Sequence, residues 1–361
     1  MRIAQIAPLA ESVPPRLYGG TERIVSYLTE ELVAQGHDVT LFASGDSETS
    51  AHLVRCAPSA LRLNPAVTDT LPYHLVMLEQ VRQRAREFDI LHFHIDLLQF
   101  PLVRTFATPS VTTLHGRLDL PDLMPFYRLF PEVPLVSISD DQRAPMPPVH
   151  WIRTVQHGLP RNLYRFEPRP ASNGAGGYLA FLGRISPEKR PDRAIAIATR
   201  AGMRLRIAAK VDKADAAYWR DEIEPLIRAN PLVEYVGEIG EREKAEFLGN
   251  ATALLFPIDW PEPFGLVMIE AMACGTPVIA FACGSTPEVV DHGETGFLVD
   301  SVEEAVAAVP MAARLDRGRV RAVFERRFSI ERVARDYLEV YLSLSGQAQP
   351  LRPPTELTLT A

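Results

Sequence analysis

The sequence predicts an α/β protein made of two doubly wound domains in tandem. Three observations carry this. The chain has 361 residues, more than a single hydrophobic core usually organises. Short β-rich runs alternate with helical periodicity in both halves, the pattern of parallel strands joined by crossover helices. Between the halves, LYRFEPRPASNGAGG breaks that pattern with Pro, Gly, Ser and Asn, the residues of a linker or loop.

In the first half RIAQIAP is the opening strand, and a helix follows from about Thr21 to Gln35. The later strands are HDVTLFA, DILHFHI, SVTTLH, PLVSIS and IRTVQHG. The second half runs YLAFLGR, MRLRIAAK, VEYVGEI, ATALLFPI, PVIAF and GFLV, with helical segments between them. FSIERVARDYLEVYLSL has apolar residues at helical spacing, whereas SGQAQPLRPPTELTLTA has no period and is expected to be a mobile tail. The domains are accordingly placed at 1–160 and 161–328, with a final helix at 329–344 and a disordered tail at 345–361. Ligands of open α/β sheets bind beyond the carboxyl ends of the strands, so chemistry is sought in the loops that follow these runs.

A formal net charge of −7 argues against nucleic acid as a partner, because binding a phosphate backbone needs a concentrated basic patch. Three cysteines, Cys56, Cys274 and Cys283, are too few for a disulfide framework and fit a reducing compartment. The start MRIAQIAPL lacks a signal-length apolar run, and no later stretch has membrane-span length, so a soluble cytoplasmic protein is expected. EQVRQRAREF can form a basic helix, read as a solvated surface helix with peripheral membrane contact as the alternative.

The stretch PEPFGLVMIEAMACGTPV carries two glutamates eight positions apart in otherwise apolar sequence. A helix from about Gly265 to Cys274 puts Leu266, Ile269, Glu270 and Ala273 on one face, so Glu270 lies on the apolar side. A carboxylate there is costly without donors, and the hydroxyls of a ribose would supply them. Glu262 precedes the helix, where the N–H groups of Phe264, Gly265 and Leu266 form an anion-attracting end. The plainer reading makes Glu262 a cap and Glu270 the partner of a buried arginine.

In YLAFLGRISPEKRPD, Arg184 and Lys189 follow a strand and could neutralise a diphosphate, one as a planar fork and one as a point charge. In YGGTER, Gly19 and Gly20 open a helix and can bring amides close to an anion; the plainer reading has Thr21 as a simple cap. No GxGxxG fingerprint is present, which argues against a dinucleotide cofactor. His115 ends a strand where a side chain can face a cleft. His92 and His94 alternate along one strand; they suggest core or cleft-lining histidines, with zinc conceivable but short of ligands.

Together, GRISPEK, EPFGLVMIEAMACGTPVIA with Glu262 and Glu270, GSTPEVVDHGETGFLV and YGGTE resemble the retaining, nucleotide-sugar-dependent glycosyltransferases of the family-4 type. The resemblance spans roughly Met1 to Leu344 and is densest in the second half. It implies the GT-B fold, two Rossmann-like domains facing across a cleft, with the donor held mainly by the second and the final helix crossing back to the first. It further implies that Glu270 binds ribose hydroxyls, that Glu262 and His115 act at the transferred sugar, and that Arg184 and Lys189 hold the diphosphate in place of a metal. Gly19, Gly20, Phe264, Gly265 and Leu266 would line phosphates and sugar. No cofactor is expected; the nucleotide sugar, with UDP favoured over GDP or ADP, is a substrate, and the other partner is a hydroxyl acceptor. Gly116 and QHGLP, with His157, depart from the family's Asp and Asn-Gly at those places, which loosens the first-domain assignments. A hinge is expected near Leu159 to Arg169. The alternatives are another GT-B chemistry, such as epimerisation of a nucleotide sugar or phosphorolysis, and a non-catalytic nucleotide-sugar-binding subunit.

Overall fold

The computed structural model describes residues 1–16, 19–62, 64–168 and 177–346. The chain forms two compact units, Met1–Gly158 with Ile330 onwards, and Leu159–Ser329. Tyr18 of the YGGTER motif, Arg169 at the edge of the expected hinge, most of the Gly-rich linker and the tail from residue 347 lie outside the described residues.

Seven strands build the first unit: β1 (Arg2–Ile6), β2 (Asp38–Ser44), β3 (His52–Ala57), β4 (Ile90–Phe93), β5 (Ser110–Thr113), β6 (Leu135–Ser137) and β7 (Trp151–Thr154). They pair in parallel in the order β3-β2-β1-β4-β5-β6-β7. The second unit has β8 (Tyr178–Arg184), β9 (Arg204–Lys210), β10 (Val233–Gly237), β11 (Ala253–Phe256), β12 (Val278–Phe281) and β13 (Gly296–Val299), again all parallel, ordered β10-β9-β8-β11-β12-β13. In each sheet the order reverses once, between β1 and β4 and between β8 and β11. Helices on either side of such a reversal leave on opposite faces, opening a crevice at the carboxyl ends of those two strands.

Strands covered on both faces must be apolar on both faces. That explains the near-continuous hydrophobic runs ILHF, ALLF and VIAF, whose residues are all buried. The sequence reading missed β3; HLVRCA sits at the sheet edge, paired only with β2, and of its residues only Cys56 and Ala57 are buried. The helix after β1 spans Gly20–Ala34, with Gly19 rather than Thr21 at the N-cap.

The final helix, Ile330–Ser345, belongs to the first unit. Ile330, Val333, Ala334, Tyr337, Val340, Tyr341 and Leu344 form its buried stripe, packed with Ile3, Ile90, Val111 and Val136 of the sheet and with Val155 just after β7. Each large side chain buried there contributes about 1.5–3 kcal/mol. Among the described residues no helix is long and apolar enough to cross a membrane. The basic stretch EQVRQRAREF covers the end of the Leu71–Arg84 helix and a following turn, and Arg82 and Arg84 are paired with Glu79 and Glu87.

Candidate active site

The crevice of the second unit is built by the loops after β8 and β11. Main-chain contact ties them together, with the Asp259 N–H donating to Glu188 O at 2.9 Å. Arg190 adds a side-chain tie, holding Asp192 at 2.8 Å and Asp259 at 2.7 Å. Its backbone is left-handed at φ 53°, a conformation unusual outside glycine. Lys189, from the first loop, is ion-paired with Glu262, from the second. The same Glu262 oxygen accepts the indole N–H of Trp260 at 3.0 Å, and the ammonium of Lys189 lies 4.9 Å from the Trp260 ring centroid. A cation over an indole face is held by the ring quadrupole as well as by the carboxylate.

Glu262 does not cap the following helix. That helix spans Leu266–Ala273, and its N-cap is Gly265, with no side-chain capping bond. Gly265 is required by its φ of 78° and by crowding, since a Cβ there would stand 2.8 Å from Met268 Cε and 3.0 Å from Phe256 Cζ. Gly284 serves the same loop from outside: at φ 59° it packs so close that a Cβ would meet Glu262 N at 2.4 Å. Ser285 then donates its N–H to Glu262 O at 3.0 Å and its hydroxyl to Phe264 O at 2.9 Å. The GSTPE segment is therefore the brace that fixes Glu262 and Phe264.

Glu270 is buried as its helical position requires, yet its partner is a lysine rather than an arginine. Lys244, on the Glu241–Gly249 helix, reaches Glu270 Oε1 at 2.9 Å and Glu241 at 3.6 Å. Arg184 at the end of β8 pairs with Glu188, with Asp215 at 3.4 Å and with Asp212 at 3.9 Å. Both cations expected to meet a diphosphate thus have carboxylate partners. The structure joins Lys189 to Glu262 directly; Arg184 and Glu270 stand in separate ion-pair groups.

The first unit has its own crevice at the same topological place. A cavity of about 440 Å³ is lined by Pro8 after β1, His94 and Ile95 after β4, His115 and Gly116 after β5, and Thr21 of the first helix. Thr21 directly follows Gly19 and Gly20, and Gly19 packs so near Pro15 that a Cβ would stand 2.7 Å from it. Both ring nitrogens of His92 and of His94 meet protein groups. His92 bonds Tyr341 and Thr113, each at 2.7 Å, and His94 bonds His115 at 2.9 Å and Gln5 at 2.8 Å. His157 stacks on His115 with ring centroids 5.2 Å apart. Burial pushes all four imidazoles below their ordinary pKa, because an imidazolium would lose its hydration there.

Two sequence families meet on this chain. The one described as "Glycosyl transferases group 1" matches residues 165–318, over the second unit's crevice, and "Glycosyltransferase Family 4" matches residues 18–140. The chain belongs to the family-4-type glycosyltransferases. It is 26% identical over 364 residues to a D-inositol 3-phosphate glycosyltransferase of Mycobacterium marinum, covering 85% of this chain and 76% of that one. It is likewise 26% identical over 375 residues to a phosphatidyl-myo-inositol mannosyltransferase of Mycobacterium leprae, covering 94% and 96%. Among solved structures it resembles AviGT4, a glycosyltransferase of avilamycin A biosynthesis, with a TM-score of 0.68 at 23% identity over 96% of this chain and 98% of that one. The fold is GT-B, with two parallel-sheet α/β domains.

For this glycosyltransferase, sequence reasoning singled out Glu262, Glu270, Arg184, Lys189 and His115 but missed Trp260, Lys244, Arg190 and Gln5. Trp260 adjoins the EPFG motif and could have been found there. Lys244 and Gln5 carry no local signal, since a helix-surface lysine and a strand glutamine are common in any sequence.

Proposed function

We propose that the protein is a retaining glycosyltransferase that moves a hexose-type sugar from a nucleoside-diphosphate sugar to a hydroxyl acceptor without a metal ion. A UDP-sugar is the favoured donor, ahead of GDP- or ADP-sugars. The observation that carries the reading is the Lys189–Glu262 pair at the point where the second sheet reverses its order, braced by Trp260 and the GSTPE segment.

In this reading a diphosphate, with more negative charge than one carboxylate, draws Lys189 from Glu262 and Arg184 from its acidic neighbours, and Glu262 turns to the sugar. Glu270 exchanges part of its contact with Lys244 for ribose hydroxyls. When the anomeric C–O bond breaks, its electron pair goes to the leaving diphosphate oxygen, where Lys189 and Arg184 stabilise the developing charge. The acceptor oxygen bonds to the anomeric carbon on the face the diphosphate leaves, and its proton passes to the departing phosphate. His115 hydrogen-bonds the sugar as a neutral imidazole. The relatives named for inositol acceptors support a polyol hydroxyl as the first acceptor to try.

The test is transfer from a panel of UDP-, GDP- and ADP-sugars in EDTA, with the anomeric configuration of product and donor compared by proton NMR. Release of nucleoside diphosphate with an unchanged configuration is expected. An inverted product, or activity abolished by EDTA and restored by Mg²⁺, overturns the reading in the respective part.

A further inference from the structure

One face of the first sheet carries an unbroken row of hydrogen bonds of which the proposed chemistry uses only the end, His115. Gln5 and His92 are register partners on β1 and β4, and Thr113 ends β5. Gln5 Oε1 faces His94 Nε2 at 2.8 Å, and His94 Nδ1 faces His115 Nε2 at 2.9 Å. On its other side the Gln5 amide donates to Tyr341 Oη at 3.0 Å, and Tyr341 Oη meets His92 Nδ1 at 2.7 Å. His92 Nε2 meets Thr113 Oγ1 at 2.7 Å, and Thr113 meets Tyr337 Oη at 2.9 Å. Gln5, His92, His94, Thr113, Tyr337 and Tyr341 are all buried, so water does not satisfy these groups. One ring atom of the row has no partner: His115 Nδ1, shielded from solvent in a residue that lines the cavity.

Proton placement follows from what each group can do. A carboxamide oxygen only accepts, so His94 carries its proton on Nε2. Burial keeps that imidazole neutral, which leaves His94 Nδ1 as a lone pair. It must then receive the proton on His115 Nε2. His115 is neutral for the same reason, and its Nδ1 is left as a lone pair. Tyr341 holds the amide in this orientation: its oxygen accepts the Gln5 N–H, which leaves its own O–H to donate to His92 Nδ1.

We propose that Gln5, acting through His94 and oriented by Tyr341 of the final helix, is a positioning residue that fixes His115 as the Nε2–H tautomer with Nδ1 as acceptor. Nδ1 is shielded in this structure, so a ligand group meets it only once the ring shifts; that group must donate, as a sugar or polyol hydroxyl does, whereas a carbonyl or phosphate oxygen without a proton cannot complete the arrangement. The catalytic consequence rests on the proposed role of His115 at the transferred sugar, whereas the tautomer stands independently of that role.

The experiment is long-range ¹H–¹⁵N NMR of the full chain labelled with [¹⁵N]histidine, together with steady-state transfer assays. In the unaltered protein His115 should show a pyrrole-like Nε2 and a pyridine-like Nδ1, unchanged from pH 6 to 8. A pyrrole-like Nδ1, or a mixture of tautomers, overturns the proposal without need of any variant and whatever the protein's activity. Gln5→Met should mix the tautomers and lower kcat about tenfold with donor KM little changed, the pattern of an interaction made in the transition state. Tyr341→Phe supplies the same readout if Gln5→Met does not fold. A single tautomer with kcat unmoved by its loss overturns the positioning role; no transfer by the unaltered protein overturns the functional reading and leaves the tautomer decided by the spectrum.

Discussion

The crevices of the two units occupy the same topological position, yet they are furnished in opposite ways. Where the second sheet reverses, the side chains are charged: Lys189 with Glu262, Lys244 with Glu270, Arg184 among three carboxylates. Where the first sheet reverses, they are buried histidines hydrogen-bonded to one another, to Gln5 and to tyrosines, with Asp96 as the carboxylate of the cavity lining. The topology provides a place, and the chemistry depends on which side chains end the strands. Exchangeable ion pairs suit a ligand that brings its own charge, while a row of fixed donors and acceptors suits hydroxyls.

The largest effect is expected from breaking the charged side. Lys189→Ala should lower kcat about 10²–10³-fold, the loss seen when one donor to a developing anion is removed. Circular dichroism should be unchanged, since Glu262 keeps the Trp260 N–H. A fully active variant would remove the diphosphate role.

Acid should act on the histidine side. The folded-state pKa values of His92, His94 and His157 lie below the ordinary 6.5, so the unfolded chain binds more protons as pH falls through that value. Stability is present above about pH 6.5 and is lost below it, by about 0.7 kcal/mol per histidine between pH 7 and 6. Hydrogen exchange at pH 5.5 should therefore show greater loss of protection in β1, β4 and β5 than in β8 and β11. Equal loss would mean that the histidines do not set the acid limit.

Smaller effects sharpen the division of labour on the charged side. Glu270→Gln should raise the donor KM about tenfold with kcat little changed, the loss of about 1.4 kcal/mol of uniform binding. A fall in kcat alone would place Glu270 in the chemical step instead. Trp260→Phe keeps a ring for Lys189 but removes the N–H bound to Glu262, worth about 1 kcal/mol. A several-fold drop in kcat is expected, and isothermal titration with nucleoside diphosphate should show unchanged affinity.

The strands were legible because parallel strands covered on both faces must be apolar and short, a requirement written directly into ILHF, ALLF and VIAF. The edge strand β3 escaped because it is paired on one side only and can be polar. Glu270 was legible as a carboxylate on an apolar helix face, but not its lysine partner, which arrives from a helix some 26 residues earlier. Gly265 is expected from the sequence to line phosphates and sugar; the fold shows that left-handed backbone and contact with Phe256 and Met268 already demand a glycine there.

By itself, then, the sequence determined the periodicity, the order of the elements and the residue types that end the strands, since these depend on neighbours along the chain. Tertiary structure alone decided which cation meets which carboxylate, and that a tyrosine 336 positions beyond Gln5 orients its amide. Such partners are brought together by sheet register and helix packing, and distance in space bears no relation to spacing in sequence.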